Sequence, residues 1–315
     1  MIPDNLKEEM EFVGDIGIIK SWKIKHNQFF VDIVISLFPV SGPGSEFFNL
    51  IETGTVEFVA STLKNGSPLG LMLVHKSDSD FLNISCAIPR SLPLNSSRWL
   101  VQSFVECLII IKEKYSDKVL QWFVPESYWD YFKDLFDLAI LKMVGTFSEL
   151  KVLTRDIEIS SNIPCHFLCK DFGQMIEAAL FELYQKTSEN SLDCPEGHLF
   201  RDIRSTFEGL FNDPFLDNSV SKVVFLNEKP LAVIFVALEG NGLRILYVGV
   251  LPEYRNIGVG SFIMNFLKSC LLEKQHEYLE VLVDESNYPA VRLYEKFGFK
   301  QISRWKLLMA GKGKS

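Results

Sequence analysis

The residues best suited to chemistry stand in Val248-Gly249-Val250-Leu251-Pro252-Glu253-Tyr254-Arg255-Asn256-Ile257-Gly258-Val259-Gly260-Ser261. An apolar run ends at a proline, and R-x-x-G-x-G follows and opens an amphipathic segment. Gly258 and Gly260 let a backbone pass close to a ligand and adopt angles that other residues resist. In a strand-loop-helix setting, the successive N–H groups of Asn256, Ile257, Gly258, Val259, Gly260 and Ser261 point at one spot. The positive end of the following helix backs them, which is a geometry for binding a pyrophosphate. Arg255 adds a full positive charge at the edge of that spot. Two other phosphate loops fit poorly. A GxGxxG nucleotide fold wants a parallel βαβ unit, whereas three hairpin-linked strands precede this loop. A Walker loop needs Gly-Lys-Ser/Thr, which is absent here.

A second group is Asn287-Tyr288-Pro289-Ala290-Val291-Arg292-Leu293-Tyr294-Glu295-Lys296-Phe297-Gly298-Phe299. Asn287 and Tyr294 are two helical turns apart and share one helix face. Taken singly, Asn287 reads as a helix cap and Tyr294 as a core residue.

The elements that must position these residues read clearly. Ile163–Cys169 is a strand. Helices follow over 171–186, with Ile176, Ala179, Leu180 and Leu183 on one stripe, and over 199–211, with a loop at 187–197 between them. Strands at 222–226, 231–238 and 243–250 are joined by Asn227-Glu228-Lys229-Pro230 and Glu239-Gly240-Asn241-Gly242, both turn signals. A helix over 258–274, a strand over 278–283, a helix over 287–297 closed by Gly298, and a strand over 299–309 complete the order βααβββαβαβ. The N-terminal half reads as a worn copy. Segment 56–70 parallels 222–232, segment 81–90 parallels 244–253, a helix over 98–114 parallels the one from 258, and 119–127 parallels 279–286. Such repetition at a whole-domain period indicates duplication. The expected division is 1–155 and 160–315, with a polar junction at 154–162.

R-x-x-G-x-G after a V-x-V-x-P strand, followed by N-x-x-A-x-x-L-Y-E-K-x-G-F, resembles the two cofactor motifs of the GNAT superfamily of acyl-CoA-dependent N-acyltransferases. The resemblance covers about residues 160–310. It implies a mixed α/β fold in each half, with a twisted, mostly antiparallel sheet flanked by helices. It implies that the amides from Arg255 to Ser261 hold the CoA pyrophosphate, that Val248 and Val250 pair with the pantetheine arm, that Asn287 contacts the cofactor, and that Tyr294 protonates the departing thiolate. The N-terminal copy departs from the pattern. It has Pro89-Arg90-Ser91-Leu92-Pro93-Leu94 where the glycines belong, and Tyr128 and Leu135 where Asn287 and Tyr294 belong. It resembles the cofactor-free partner domain of tandem GNAT proteins, so one CoA per chain is expected.

The implied reaction is direct acetyl transfer from acetyl-CoA to an amine of a small molecule or peptide. The amine must be neutral to attack. For a lysine-like amine at pH 7 that costs roughly 4.6 kcal/mol, so a general base is expected. The backbone N–H of Val250 is a candidate donor to the carbonyl oxygen. The resemblance places the 187–198 loop beside the acceptor, making Glu196 and Asp193 the candidate bases, with Glu280 a third; carboxylates of this kind more often sit solvated on the surface. A non-catalytic acetyl-CoA-binding sensor or scaffold is the alternative, because no base stands out.

Composition narrows the setting. A formal charge of -8 over 315 residues argues against non-specific binding to nucleic acid or to an anionic membrane. The opening MIPDNLKEEM is not a signal peptide, and Leu231–Leu238, the longest apolar run, is short of the ~20 residues of a spanning helix. Six scattered cysteines suit free thiols in a reducing compartment. Cys165 and Cys169 have no metal-ligand pair nearby, and no metal is expected. A cytoplasmic monomer or homodimer is the expectation.

Overall fold

The computed structural model describes residues 11–13, 16–20, 56–64, 67–76, 81–87, 94–129, 141–157, 166–200 and 202–311. The chain divides into two compact units, Met1–Met143 with Lys306–Ser315, and Val144–Trp305.

The first unit holds β1 (Glu11–Val13), β2 (Ile16–Lys20), β3 (Val56–Lys64), β4 (Ser67–Lys76), β5 (Phe81–Ala87), α1 (Leu94–Lys114) and β6 (Val119–Pro125). The pairs β1–β2, β2–β3, β3–β4 and β4–β5 are antiparallel. After α1 the chain returns to pair β6 parallel to β5. One core gathers Met72, Leu82, Phe104, Ile111 and Trp122. The prolines at 89 and 93 and Leu135, where the cofactor residues of a second site would stand, lie outside the described residues.

The second unit holds β7 (Lys142–Leu153), β8 (Phe167–Asp171), α2 (Glu177–Ser188), α3 (Ile203–Phe211), β9 (Lys222–Leu226), β10 (Lys229–Glu239), β11 (Gly242–Val250), α4 (Val259–Glu273), β12 (Tyr278–Asp284), α5 (Tyr288–Lys296) and the start of β13 (Lys300–Ala310). From β8 onward this is the order read from the sequence. Strands β8, β9, β10 and β11 are antiparallel neighbours, and β12 pairs parallel to β11. The run β3-β4-β5-α1-β6 thus repeats the pairing pattern of β9-β10-β11-α4-β12. The two runs share one topology whatever their residue likeness.

The chain passes between the units inside two strands. Residues Phe147–Leu153 of β7 pair antiparallel with the whole of β12, from Leu153↔Tyr278 to Phe147↔Asp284. β13 begins in the second unit, where the Ser303 hydroxyl donates to Glu149 of β7. It ends in the first, where Leu308 and Ala310 join the core around Trp122.

Two layers of helices bury the faces of the second sheet. On one face Phe262, Ile263, Leu267 and Leu271 of α4, Tyr294 of α5 and Phe297 just past it meet Leu243, Ile245, Leu279 and Val281. On the other, Leu180, Leu183, Tyr184 and Phe207 meet Val223, Val233 and Phe235. Two helix starts differ from the sequence reading. α2 begins at Glu177 after a separate 3-10 turn at Phe172–Gln174, and Ile176 is 75% exposed rather than part of the buried stripe. α3 begins at Ile203, where Asp202 caps it by accepting from the Ser205 N–H at 2.9 Å. The cap satisfies an otherwise orphaned amide and sets the start. The preceding Pro195–Leu199 forms a 3-10 turn. Among the described residues no helix is long and apolar enough to cross a membrane.

Candidate functional site

β11 and β12 pair only at Leu243↔Leu279, Arg244↔Glu280 and Ile245↔Val281. Beyond that point β11 continues beside β10 to Val250, and β12 continues beside β7 to Asp284. The two neighbours therefore part toward their C-terminal ends. A bulge starts the parting: Val236 opposes Ile245 and Phe235 opposes Tyr247, so Leu246 is an extra residue on β11. Bulges bend and twist the strand that carries them.

The ladder shows which groups face the opening. The Leu251 N–H donates to the Leu231 carbonyl at 2.9 Å, which marks 231/251 as a hydrogen-bonded pair. Bonded and non-bonded pairs alternate in an antiparallel ladder. The pairs Ile234↔Val248 and Ala232↔Val250 are then non-bonded, and the backbone groups of Val248 and Val250 point away from β10, toward the opening. The Val250 carbonyl accepts from Arg255 Nε at 3.1 Å. Both Val248 groups and the Val250 N–H remain as a short sheet edge for an extended ligand.

The loop after β11 makes a 3-10 turn at Pro252–Tyr254, takes positive φ at Asn256 (64°) and Gly258 (99°), and enters α4. Phe262 N–H closes the first helical bond on the Gly258 carbonyl. The amides ahead of it in α4 are orphans by helix geometry, and among the described residues no protein acceptor meets those of Asn256, Ile257 and Gly258. The two glycines serve different ends. At Gly258 a side chain would meet nothing within 4 Å, so backbone angle is what requires glycine. At Gly260 a Cβ would lie 2.9 Å from Leu293 Cδ2, so glycine lets α4 pack closely on α5.

Arg255 is placed differently from the sequence expectation of a free charge at the site edge. Its guanidinium donates to the carbonyls of Val250, Thr187, Glu189 and Asn190, at 3.1, 3.0, 2.8 and 3.2 Å. It ties the end of α2 to the end of β11.

Asn287 caps α5, its Oδ1 accepting from the Ala290 N–H at 3.4 Å. Tyr294 is buried, with its ring 5.3 Å from that of Phe299. Burial, and then the charge of Asp193, push its hydroxyl well above the usual tyrosine range. The phenol is therefore protonated at neutral pH and able to donate.

The candidate bases separate. Asp193 is exposed, yet its charge acts on both Tyr294 and Tyr247. Glu196 is exposed on the 3-10 turn beyond it. Glu280 is no base. It is buried on β12, accepts from Arg244 Nε at 2.8 Å and pairs with Lys151 at 2.8 Å. That cluster sits across the last paired rungs and holds β11 to β12 just before they part.

Three residues near the opening were not singled out in the sequence. Asp284, buried at the end of β12, accepts from the Cys194 N–H at 2.9 Å and the Ser286 N–H at 2.8 Å. Tyr247 and buried Thr187 share a hydroxyl–hydroxyl bond of 3.0 Å. Burial pushes the Tyr247 phenol up to about 12; the Thr187 bond and Arg255 oppose the shift and Asp193 adds to it. Gly249 makes room for both, since a Cβ there would overlap the Thr187 hydroxyl and lie 2.6 Å from the Tyr247 ring. A glycine between two valines in a strand that ends at the site was the available signal.

The chain is similar to known proteins. Residues 178–299 match the model of the Acetyltransferase (GNAT) family. The N-alpha-acetyltransferase of Sulfolobus acidocaldarius is 42% identical over 62 residues, which is 19% of this chain and 36% of that protein. The N-alpha-acetyltransferase of Sulfurisphaera tokodaii is 36% identical over 62 residues, with the same shares. The chain thus spans 36% of the length of these curated relatives. Among solved structures, a GCN5-related N-acetyltransferase from Sphaerobacter thermophilus superposes with a TM-score of 0.66 at 13% identity, over 97% of this chain and 98% of that one. A tandem GNAT protein from the clavulanic acid biosynthesis pathway superposes at 0.60 and 12% identity, over 98% and 100%. At such identities the likeness shows the fold, and it shows it for both halves of the chain.

Proposed function

With residues 178–299 a domain of the Acetyltransferase (GNAT) family, we propose that the protein is an acetyl-CoA-dependent N-acetyltransferase acting on an amine of a small molecule or peptide. The observation that carries this reading is the parting of β11 from β12 beside the unpartnered amides of residues 256–261. A bare strand edge and an anion-binding helix start stand next to each other, as an extended thiol arm ending in a pyrophosphate requires.

When bound, acetyl-CoA supplies an activated thioester. The amides of Asn256 to Ser261 hold its pyrophosphate, and the edge groups of Val248 and Val250 align its arm. The Val250 N–H donates to the carbonyl oxygen as charge develops there. Asn287 contacts the cofactor from the α5 cap. Tyr294 donates its hydroxyl proton to the sulfur that leaves. Asp193, with Glu196 farther along the same loop, accepts the proton that the amine releases.

An α-amine suits this site better than a lysine side chain. Bringing an α-amine to its neutral form at pH 7 costs about 1 kcal/mol, against roughly 4.6 kcal/mol for lysine. An exposed carboxylate such as Asp193 is a weak base and meets the smaller demand. The names of these two relatives point the same way. A reducing, cytoplasmic setting is supported by the free thiols of Cys86, Cys107, Cys169, Cys194 and Cys270.

The test is thiol release from acetyl-CoA in the presence of peptides with free α-amines, N-terminally blocked lysine peptides, spermidine and glucosamine. The reading expects amine-dependent release, strongest with an α-amine. CoA binding without release on any amine would favour a sensor.

A further inference from the structure

We propose that Arg255 and Asp284 are the two anchors of the acceptor loop 187–194, and that Arg255 transmits occupancy of the 256–261 amides to that loop instead of binding the cofactor's anion itself. The proposal rests on the reading that those amides hold the CoA pyrophosphate.

The geometry at Arg255 points away from anion binding. A guanidinium offers five N–H donors in a rigid fork. Here the fork reaches the carbonyls of Val250, Thr187, Glu189 and Asn190. Three of these lie at or past the end of α2 (Glu177–Ser188), where carbonyls lack intrahelical donors and the helix dipole favours a cation. To turn its fork onto a phosphate the guanidinium would have to give up bonds to these carbonyls, among them that of buried Thr187.

The second anchor is 90 residues away in sequence. Asp284 ends β12, one of the two strands that part, and its buried carboxylate takes the Cys194 N–H. Cys194 holds a left-handed φ of 46° there, and its sulfur closes against Gly197, 2.6 Å from where a Cβ would stand. A third link supports it, since the Ser286 hydroxyl donates to the Leu192 carbonyl at 3.2 Å.

Between the anchors lies Asp193, whose charge reaches Tyr247 and Tyr294. One anchor belongs to the residue that begins the amide loop, and the other to the turn that leads into α5 and Asn287. The acceptor loop is thus held by the same two segments that would hold the cofactor. Filling the amide array stiffens residues 255–261, and Arg255 passes that stiffness to the carbonyls of 187–190.

Amide hydrogen exchange of peptides covering 187–197, with and without CoA, tests this alongside calorimetric CoA affinity. In the native protein CoA should slow exchange across 187–197. Arg255→Gln should bind CoA within about threefold of the native protein while its 187–197 segment exchanges about tenfold faster and no longer responds to CoA. Arg255→Lys, which keeps the charge but lacks the fork, should behave the same way and serves if the glutamine variant folds poorly. Asp284→Asn should speed exchange at the Cys194 end. The proposal is overturned if Arg255→Gln loses CoA affinity about tenfold or more, the mark of a lost charge-assisted bond to phosphate. It is equally overturned if CoA still protects 187–197 in that variant, or if Asp284→Asn leaves exchange unchanged. If the native protein binds no CoA, the reading of the cofactor site fails, while the anchors are still judged by exchange in the unliganded variants.

Discussion

Replacing Gly258 and Gly260 separately by alanine should give opposite outcomes, although they are two positions apart in one motif. At Gly258 the backbone sits at φ 99°, with no atom within 4 Å of a new Cβ. The cost there is backbone strain, about 1–3 kcal/mol, and no neighbour can relieve it. If the chain escapes strain by turning the peptide, the amides on either side lose their aim. Each amide-to-anion bond lost is worth roughly 1.5–3 kcal/mol, so CoA affinity falls by about tenfold to a hundredfold. At Gly260 the new Cβ meets Leu293 Cδ2 at 2.9 Å. That atom ends a flexible, partly buried side chain, so overpacking costs about 1 kcal/mol. Alanine in a helix regains up to about 1 kcal/mol over glycine, and the net change should lie near zero. In a Leu293→Ala background the clash is gone, and Gly260→Ala should become stabilising by close to 1 kcal/mol, a coupling that Gly258→Ala should not show. Urea unfolding of the single and double variants measures the stabilities, and calorimetry measures CoA binding. The reasoning is refuted if Gly260→Ala is the more destabilising change and Leu293→Ala does not relieve it, or if Gly258→Ala leaves both stability and CoA affinity intact.

Tyr294→Phe should lower turnover about a hundredfold, within the range for loss of a general acid, while CoA affinity changes less than about threefold; unchanged turnover would remove Tyr294 from that role. Glu280→Gln should destabilise the protein by about 3 kcal/mol in urea unfolding, at the low end for breaking a buried pair, because Glu149 and Glu239 stay 3.5 Å from Arg244. A raised folded-state pKa adds stability that is present below the unfolded value and is lost as pH climbs through the folded one. For Tyr247 that window runs from the ordinary value near 10 to about 12. Melting temperatures of native protein and Tyr247→Phe should therefore diverge in slope over that window, with the native protein falling faster.

Residues 222–309 were legible because their order is local. Hairpin turns at 227–228 and 240–241 and the glycine at 298 mark their own boundaries, and the amphipathic pattern of α4 states its buried face. The amide array was legible for the same reason, since a loop between a strand and a helix start is a local object. Side-chain commitments were not. Nothing near Arg255 in sequence says that four carbonyls, three of them more than sixty residues earlier, will absorb its donors. Asp284 reads as one more acid at a strand end until Cys194 is brought beside it. Glu280 looks like a free base until Arg244 and Lys151 close on it. The early start assigned to α2 has a simpler cause: Ile176 continues the apolar spacing, but a 3-10 turn ahead of it resets the phase. β7 was passed over because its partner strand, β12, lies far along the chain.

The order in which strands leave the ribosome now acquires meaning. β7 is synthesised before the rest of the second unit, and it must wait for β12 before its ladder can form. The first unit waits longer, because Leu308 and Ala310 arrive only after the whole second unit has been made. A fragment cut at 160 would carry the GNAT motifs and still leave β12 with a bare edge, the kind of surface that recruits other chains into aggregates. A fragment that keeps this ladder whole has to begin ahead of Phe147.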